Sequence, residues 1–278
     1  MPKPVPISAP GRLTAPGGAL RMTRGYHLSA NGIRQHLVHH PGDGPTMILV
    51  PGITSPAATW GFVADALAHR FDIHVLDVRG RGLSQAGDLD YSLDAMADDL
   101  IALAGMIGEG PVTVLGHSMG ARIAIRAAAR SPAVFARLFL ADPPVSGPGR
   151  KPYPSDWAWY EDSLRLTRVG CTVEEMRPFC PTWTEEQLAL RAEWLATCSL
   201  DAVRIAYDGF QTDDIHADLA RIDIPMRLIV AGGAPVIGPD DIAEIHNLAP
   251  ALDIVTVEGA GHMIPWDDLE GFVAAITA

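Results

Sequence analysis

No run of apolar residues in this 278-residue chain is long enough to cross a bilayer; runs such as 47–50 and 138–141 have the length of a strand. Cysteine is scarce. The three present, Cys171, Cys180 and Cys198, form an odd set without metal-ligand spacing, which argues against a disulfide framework and a zinc site and leaves buried or idle thiols. Positive charge is in deficit: the formal net charge of −12 disfavours nucleic acid and anionic membrane surfaces as partners. An anionic ligand would therefore need a local basic pocket. Internal repeats and low-complexity tracts are absent, and the opening Met1-Pro2-Lys3-Pro4 lacks the apolar core of a signal peptide. The expectation is a cytoplasmic protein with a loose arm over 1–24 and one large domain beyond it.

The most informative stretch is 112–130. An apolar, β-prone run, Val112-Thr113-Val114-Leu115, meets Gly116-His117-Ser118-Met119-Gly120, and an Ala/Ile/Arg-rich helical segment follows. A serine flanked by glycines between a strand and a helix is the sequence form of a nucleophile elbow. The turn forces the serine backbone into strain, and only glycine at the flanks avoids the neighbouring strand and helix. Ser118 is thus the candidate nucleophile, and the Met119 amide at the start of the helix faces the place where an oxyanion would form.

The rest of the chain alternates. Segments 26–30 and 34–40 are short and β-like with Asn31-Gly32 between them, the strongest hairpin signal present. The run 47–54 reads as a parallel strand buried on both faces, followed by helix 60–69, strand 71–77, a loop over 78–84 and helix 93–107. Strand 136–141 ends at Asp142-Pro143-Pro144, and there the alternation stops. Helical segments at 154–166, 172–179, 184–197 and 199–207 follow, and Trp157, Trp159, Trp183 and Trp194 lie in this interval. They read as a helical cap over 145–215 whose aromatics wall a pocket or simply pack the cap in place. Strand 225–231, helix 240–248, strand 252–257 and a final helix from Trp266 restore the pattern. The expected fold class is α/β: a mostly parallel, doubly wound sheet of about eight strands formed by 25–144 and 216–278, with the cap inserted.

A serine hydroxyl needs a base to take its proton and a carboxylate to hold that base in one tautomer. Of the ten histidines, His262 stands out: it follows the last strand in the flexible loop Gly259-Ala260-Gly261-His262, at the same sheet edge as Ser118. His117, next to the serine, reads as a support of the turn. Asp142, at the end of the strand after the elbow helix, is the favoured acid, with Asp240 and Asp241 as rivals that read more simply as first-turn helix residues.

These motifs resemble those of the α/β-hydrolases over about 25–277. Within that superfamily, Asn31-Gly32-Ile33-Arg34, Pro51-Gly52-Ile53-Thr54, Asp77-Val78-Arg79-Gly80-Arg81-Gly82, the elbow, Asp142-Pro143-Pro144 and Gly261-His262 resemble the N-formylmaleamate deformylases of bacterial nicotinate degradation. They are shared in part by the hydrolases of 2-(acetamidomethylene)succinate. Many α/β-hydrolases carry the acid after the strand that follows the cap, but Ala234 stands about there. The resemblance also implies a second oxyanion donor in the Ile53 amide, a structural role for the loop at Asp77, and no metal or organic cofactor. It implies a small anionic amide substrate whose formyl group is removed by Ser118 and His262. Another esterase or C–C hydrolase, or a non-catalytic receptor on the same fold, are the alternatives. Arg150, Lys151, Arg177, Arg191 and Arg204 are the cationic candidates for a substrate carboxylate, although a solvated helix face is the better reading of each taken singly. Oligomeric state is not legible.

Overall fold

The computed structural model describes residues 22–278 apart from Pro235. The expected N-terminal arm lies almost wholly outside the described residues, and Arg24 already belongs to the first strand. Eight strands form one sheet: β1 (Arg24–Ala30), β2 (Ile33–His40), β3 (Thr46–Val50), β4 (Asp72–Asp77), β5 (Val112–His117), β6 (Phe135–Ala141), β7 (Met226–Ala231) and β8 (Asp253–Val257). Their order is β1-β2-β4-β3-β5-β6-β7-β8. β1 with β2 and β2 with β4 run antiparallel, and every later pair is parallel.

The residues explain the placement. Asn31 and Gly32 adopt φ of 51° and 75°, the paired left-handed conformation that closes a two-residue hairpin between β1 and β2. β1 alternates exposed and partly buried positions, as an edge strand must, whereas Met47, Ile48, Leu49 and Val50 of β3 are fully buried. Helices α1 (Gly61–Leu67), α2 (Leu93–Ile107) and α3 (Met119–Arg130) connect the parallel strands. After β6 come α4 (Trp157–Arg168), α5 (Val173–Met176), α6 (Glu185–Trp194), α7 (Leu200–Thr212) and α8 (His216–Leu219); α9 (Pro239–Leu248), α10 (Ile264–Asp267) and α11 (Leu269–Thr277) complete the chain.

The sheet separates two cores. α2, α3 and α9 pack Leu100, Ile123 and Ile245 on one face with Ile48 and Val114, while α1 and α11 pack Val63 and Phe272 on the other with Leu49 and Leu115. Each such buried side chain contributes roughly 2 kcal/mol of transfer free energy. Two boundaries differ from the sequence reading. The helix expected over 60–69 begins as a tight turn, Ala57–Trp60, before α1. The final helix is broken in two, because Asp268 leaves the helical conformation and accepts a hydrogen bond from the Gly271 amide as the cap of α11.

Candidate active site

Ser118 sits between β5 and α3 at φ 54° and ψ −118°, a backbone conformation that costs a non-glycine residue of order 1–3 kcal/mol. The strain persists because its surroundings leave no alternative. A Cβ on Gly120 would lie 1.9 Å from the Val50 carbonyl oxygen, and one on Gly116 would lie 2.5 Å from the Gly120 carbonyl oxygen. The Ser118 amide donates to the Ala141 carbonyl at 2.8 Å, tying the turn to the end of β6.

The Ser118 hydroxyl lies 3.0 Å from His262 Nε2, and His262 Nδ1–H donates to Asp142 Oδ2 at 2.6 Å. Asp142 has no solvent exposure and is itself left-handed at φ 44°. Its amide donates to the Ile229 carbonyl, and its Oδ1 accepts the Ala231 amide at 3.2 Å. Thus β7, whose continuation carries Ala234 where many α/β-hydrolases have their acid, supplies a backbone donor to a carboxylate held on β6. Asp241 instead accepts from the Gly238 amide at the start of α9.

His117 does not compete for the base position. Its Nε2–H donates to the His262 carbonyl at 2.9 Å, and burial, with the neighbouring His262, pushes its pKa down to about 3. It is a neutral strut beneath the His262 loop. Among the described residues, the amides of Ile53 and Met119 donate to no protein acceptor, and Ile53 and Ser118 line the same cavity. A hydroxyl, an imidazole and a buried carboxylate in series, beside two free amides, can move a proton off the serine and accept charge on a carbonyl oxygen.

The cavity above Ser118 has a volume of about 450 Å³. The segment after β6 builds its walls: Tyr153, Trp159, Tyr160, Phe179 and Trp183 line it, with Arg191 of α6. Arg191 is 5 % exposed, and its guanidinium carbon lies 5.2 Å from the Trp159 ring and 5.6 Å from Trp183. Its Nη2 reaches Thr54 Oγ1 at 3.4 Å, its Nε has no acceptor, and it forms no ion pair among the described residues. Asp156 and Asp267 also line the cavity; Asp267 accepts from the Gly261 amide and from the Thr182 hydroxyl.

The other arginines singled out from sequence do not line the cavity. Arg150 pairs with Glu244 at 2.6 Å, Arg177 lies 3.9 Å from Glu185 on the surface, and Arg204 pairs with Asp208 and stacks over Trp157. Each has a carboxylate neighbour elsewhere. Trp157 and Trp194 are likewise outside the lining. Two tyrosines were missed: the Tyr153 hydroxyl lies 3.4 Å from His262 Nε2 and accepts a 3.3 Å hydrogen bond from Tyr160. Burial raises the pKa of both phenols and keeps them neutral. Tyr153 precedes α4 in irregular chain, where no periodicity points inward.

The rest of the expected framework falls into place. Asp77 accepts from the Ala57 and Leu83 amides and from His36 Nδ1–H, and Ser84 donates to the Asp77 carbonyl, so that loop is a buttress. All three cysteines are free, with Cys180 and Cys198 buried. Among the described residues, no helix is long and apolar enough to cross a membrane.

Comparison with known proteins gives a consistent picture. A profile of the alpha/beta hydrolase family matches residues 47–275. The N-formylmaleamate deformylase of Pseudomonas putida is 57 % identical over 252 residues, 90 % of this chain and 94 % of that one. The 2-(acetamidomethylene)succinate hydrolase of Mesorhizobium japonicum is 27 % identical over 263 residues, 86 % of this chain and 89 % of that one. Among solved structures, an N-formylmaleamic acid deformylase from Pseudomonas putida S16 superposes with a TM-score of 0.90 at 66 % identity, covering 91 % of this chain and all of that one.

Proposed function

Because the chain belongs to the α/β-hydrolase family, we propose that it is a serine hydrolase that cleaves N-formylmaleamate to maleamate and formate, in the cytoplasm, as a step of nicotinate breakdown. The observation that carries the reading is the pairing, in one small aromatic cavity, of the Ser118–His262–Asp142 relay with a single buried arginine that has no carboxylate partner. The similarity to the deformylases of Pseudomonas putida supports the choice of substrate, and the free thiols fit a reducing compartment.

In this mechanism the substrate carboxylate meets the Arg191 guanidinium and its formyl carbon faces Ser118. His262 Nε2 takes the hydroxyl proton as Oγ attacks, and the resulting oxyanion is held by the Ile53 and Met119 amides. Asp142 keeps the imidazole in the Nδ1–H tautomer and stabilises the imidazolium. The C–N bond then breaks, His262 returns its proton to the departing nitrogen, and maleamate leaves. Water, deprotonated by His262, attacks the formyl ester, formate departs, and Ser118 regains its proton. The helices over 145–215 act as the cap that keeps other water out, and their walls suit the smallest acyl group.

The test is formate release from N-formylmaleamate by the wild type and by Ser118→Ala, with a p-nitrophenyl ester in parallel. Formate from the wild type alone is expected. Ester cleavage without formate would retain the relay and overturn the substrate; no turnover of either, with no fluorophosphonate labelling of folded protein, would overturn the hydrolase reading.

A further inference from the structure

A second cluster of chemically competent side chains lies at the opposite edge of the sheet. His39 of β2 and His74 of β4 are direct cross-strand partners, and Asp72 precedes His74 by two residues on the same strand, so all three side chains emerge on one face. The imidazoles stack with centroids 4.3 Å apart and planes within 4° of parallel. Both present Nε2 to one carboxylate: His39 Nε2 is 2.8 Å from Asp72 Oδ1, and His74 Nε2 is 3.4 Å from Asp72 Oδ2. The three donor atoms lie within 4.8 Å of one another.

From this geometry we infer a binding site for a borderline divalent metal ion, of which zinc is the best match, held by His39 Nε2, His74 Nε2 and Asp72. Two imidazoles and one carboxylate are the donor set that zinc, nickel and copper favour over calcium or magnesium. Bond lengths of about 2.0–2.2 Å set tetrahedral ligands roughly 3.4 Å apart, so binding opens the 2.8 Å contact between His39 and Asp72 and tilts the stacked imidazoles towards one another until both in-plane lone pairs meet the ion, a movement within the reach of side-chain rotation.

The shell behind the ligands is built in the same sense. The Tyr26 hydroxyl is 2.6 Å from His74 Nδ1, so that accepting Nδ1–H leaves the Nε2 lone pair facing Asp72. The Gly42 amide donates to Asp72 Oδ1 at 3.0 Å and fixes the carboxylate. Asp72 retains 29 % side-chain exposure, which gives an ion an entry path and leaves a position for water. Arg24, opposite His39 on β1, is exposed, and its charge opposes the ion. The site is independent of the proposed reaction: Ser118, Asp142 and His262 stand at or beyond the carboxyl ends of their strands, whereas Asp72 opens β4. An ion here would clip β2 to β4, with Tyr26 of β1 hydrogen-bonded behind the His74 ligand.

The test uses the full chain stripped with a chelator and titrated with zinc in competition with a chromogenic chelator, together with cobalt absorption to report tetrahedral coordination. The wild type is expected to bind one equivalent with a rise in unfolding temperature. His39→Ala and Asp72→Asn should each lose at least tenfold in affinity, Tyr26→Phe about tenfold, and Arg24→Ala should bind more tightly. His27→Gln, at an exposed histidine outside the cluster, should bind as the wild type does. Native circular dichroism and unchanged basal activity certify each variant as folded. Absence of binding by the wild type, or equal affinity in wild type, His39→Ala and Asp72→Asn, would overturn the site.

Discussion

Arg81 Nε donates a 3.1 Å hydrogen bond to the carbonyl of Ile53, whose own amide has no protein acceptor among the described residues. The same buried guanidinium donates to the Arg79 carbonyl at 2.8 Å and to the Ala202 carbonyl of α7 at 3.0 Å, and its Nη2 lies 3.6 Å from Met119 Sδ. Burial lowers its pKa to about 10, and no carboxylate pairs with it among the described residues. One side chain therefore ties the Ile53 loop to α7 and touches Met119, whose amide is the other proposed oxyanion donor.

Arg81→Met should lower kcat by about 10–100-fold with little change in KM, because a misplaced oxyanion donor is missed in the transition state and not in the ground state. Arg81→Lys, able to reach fewer carbonyls, should fall between. Steady-state kinetics well below the unfolding temperature separate this from lost stability.

Asp142→Asn should reduce kcat by roughly 10⁴-fold, the loss expected when the base is no longer held in its working tautomer. Asp241→Asn, whose carboxylate only caps α9, should leave kcat unchanged and lower stability by about 1 kcal/mol. Equal activity in Asp142→Asn and the wild type would remove Asp142 from the relay.

Arg191→Met should raise KM for the anionic amide about 10–100-fold, the loss of a charge-assisted hydrogen bond. KM for a neutral p-nitrophenyl ester should hardly move. Arg204→Met, on a solvated face, is the comparison that should alter neither.

His117 titrates at about 3 in the folded protein against 6.5 for a free histidine. Between those values the unfolded chain binds the proton and the folded one does not, so stability falls as pH drops from about 6.5 towards 3. His117→Gln keeps a donor for the His262 carbonyl and cannot titrate. Its unfolding free energy, followed by denaturant melts across that window, should fall less steeply, by up to about 1.4 kcal/mol per pH unit.

The sheet and the relay were legible because short-range chemistry fixes them. Asn31-Gly32 can close only a tight hairpin, the continuous apolar run of β3 can lie only inside, and the glycines at 116 and 120 are demanded by the elbow. Asp142 is the favoured acid in the sequence because Ala234, about where many α/β-hydrolases carry theirs, has nothing to titrate. The helices over 145–215 were less legible, since which face of a short helix turns inward depends on packing against distant elements. A signal was nevertheless present. Arg191 lies on the stripe Leu188, Arg191, Leu195, spaced by three and four, and a cation in an otherwise apolar row is a residue held inside for a reason. Tyr153, in irregular chain, offers no such row.

Three non-glycine residues among those described have positive φ: Asn31, Ser118 and Asp142. The first closes a hairpin; the other two are the ends of the proposed relay. Among the described residues, positive φ at non-glycine positions thus falls on both ends of the proposed relay, and glycine at either place would relax the backbone while removing the side chain the proposed reaction needs. A laboratory selection for thermal endurance alone would drift towards these codons first, and a lineage released from the need for turnover would have no force holding them. The identity of residues 118 and 142 in any descendant would then read as a record of whether it still works.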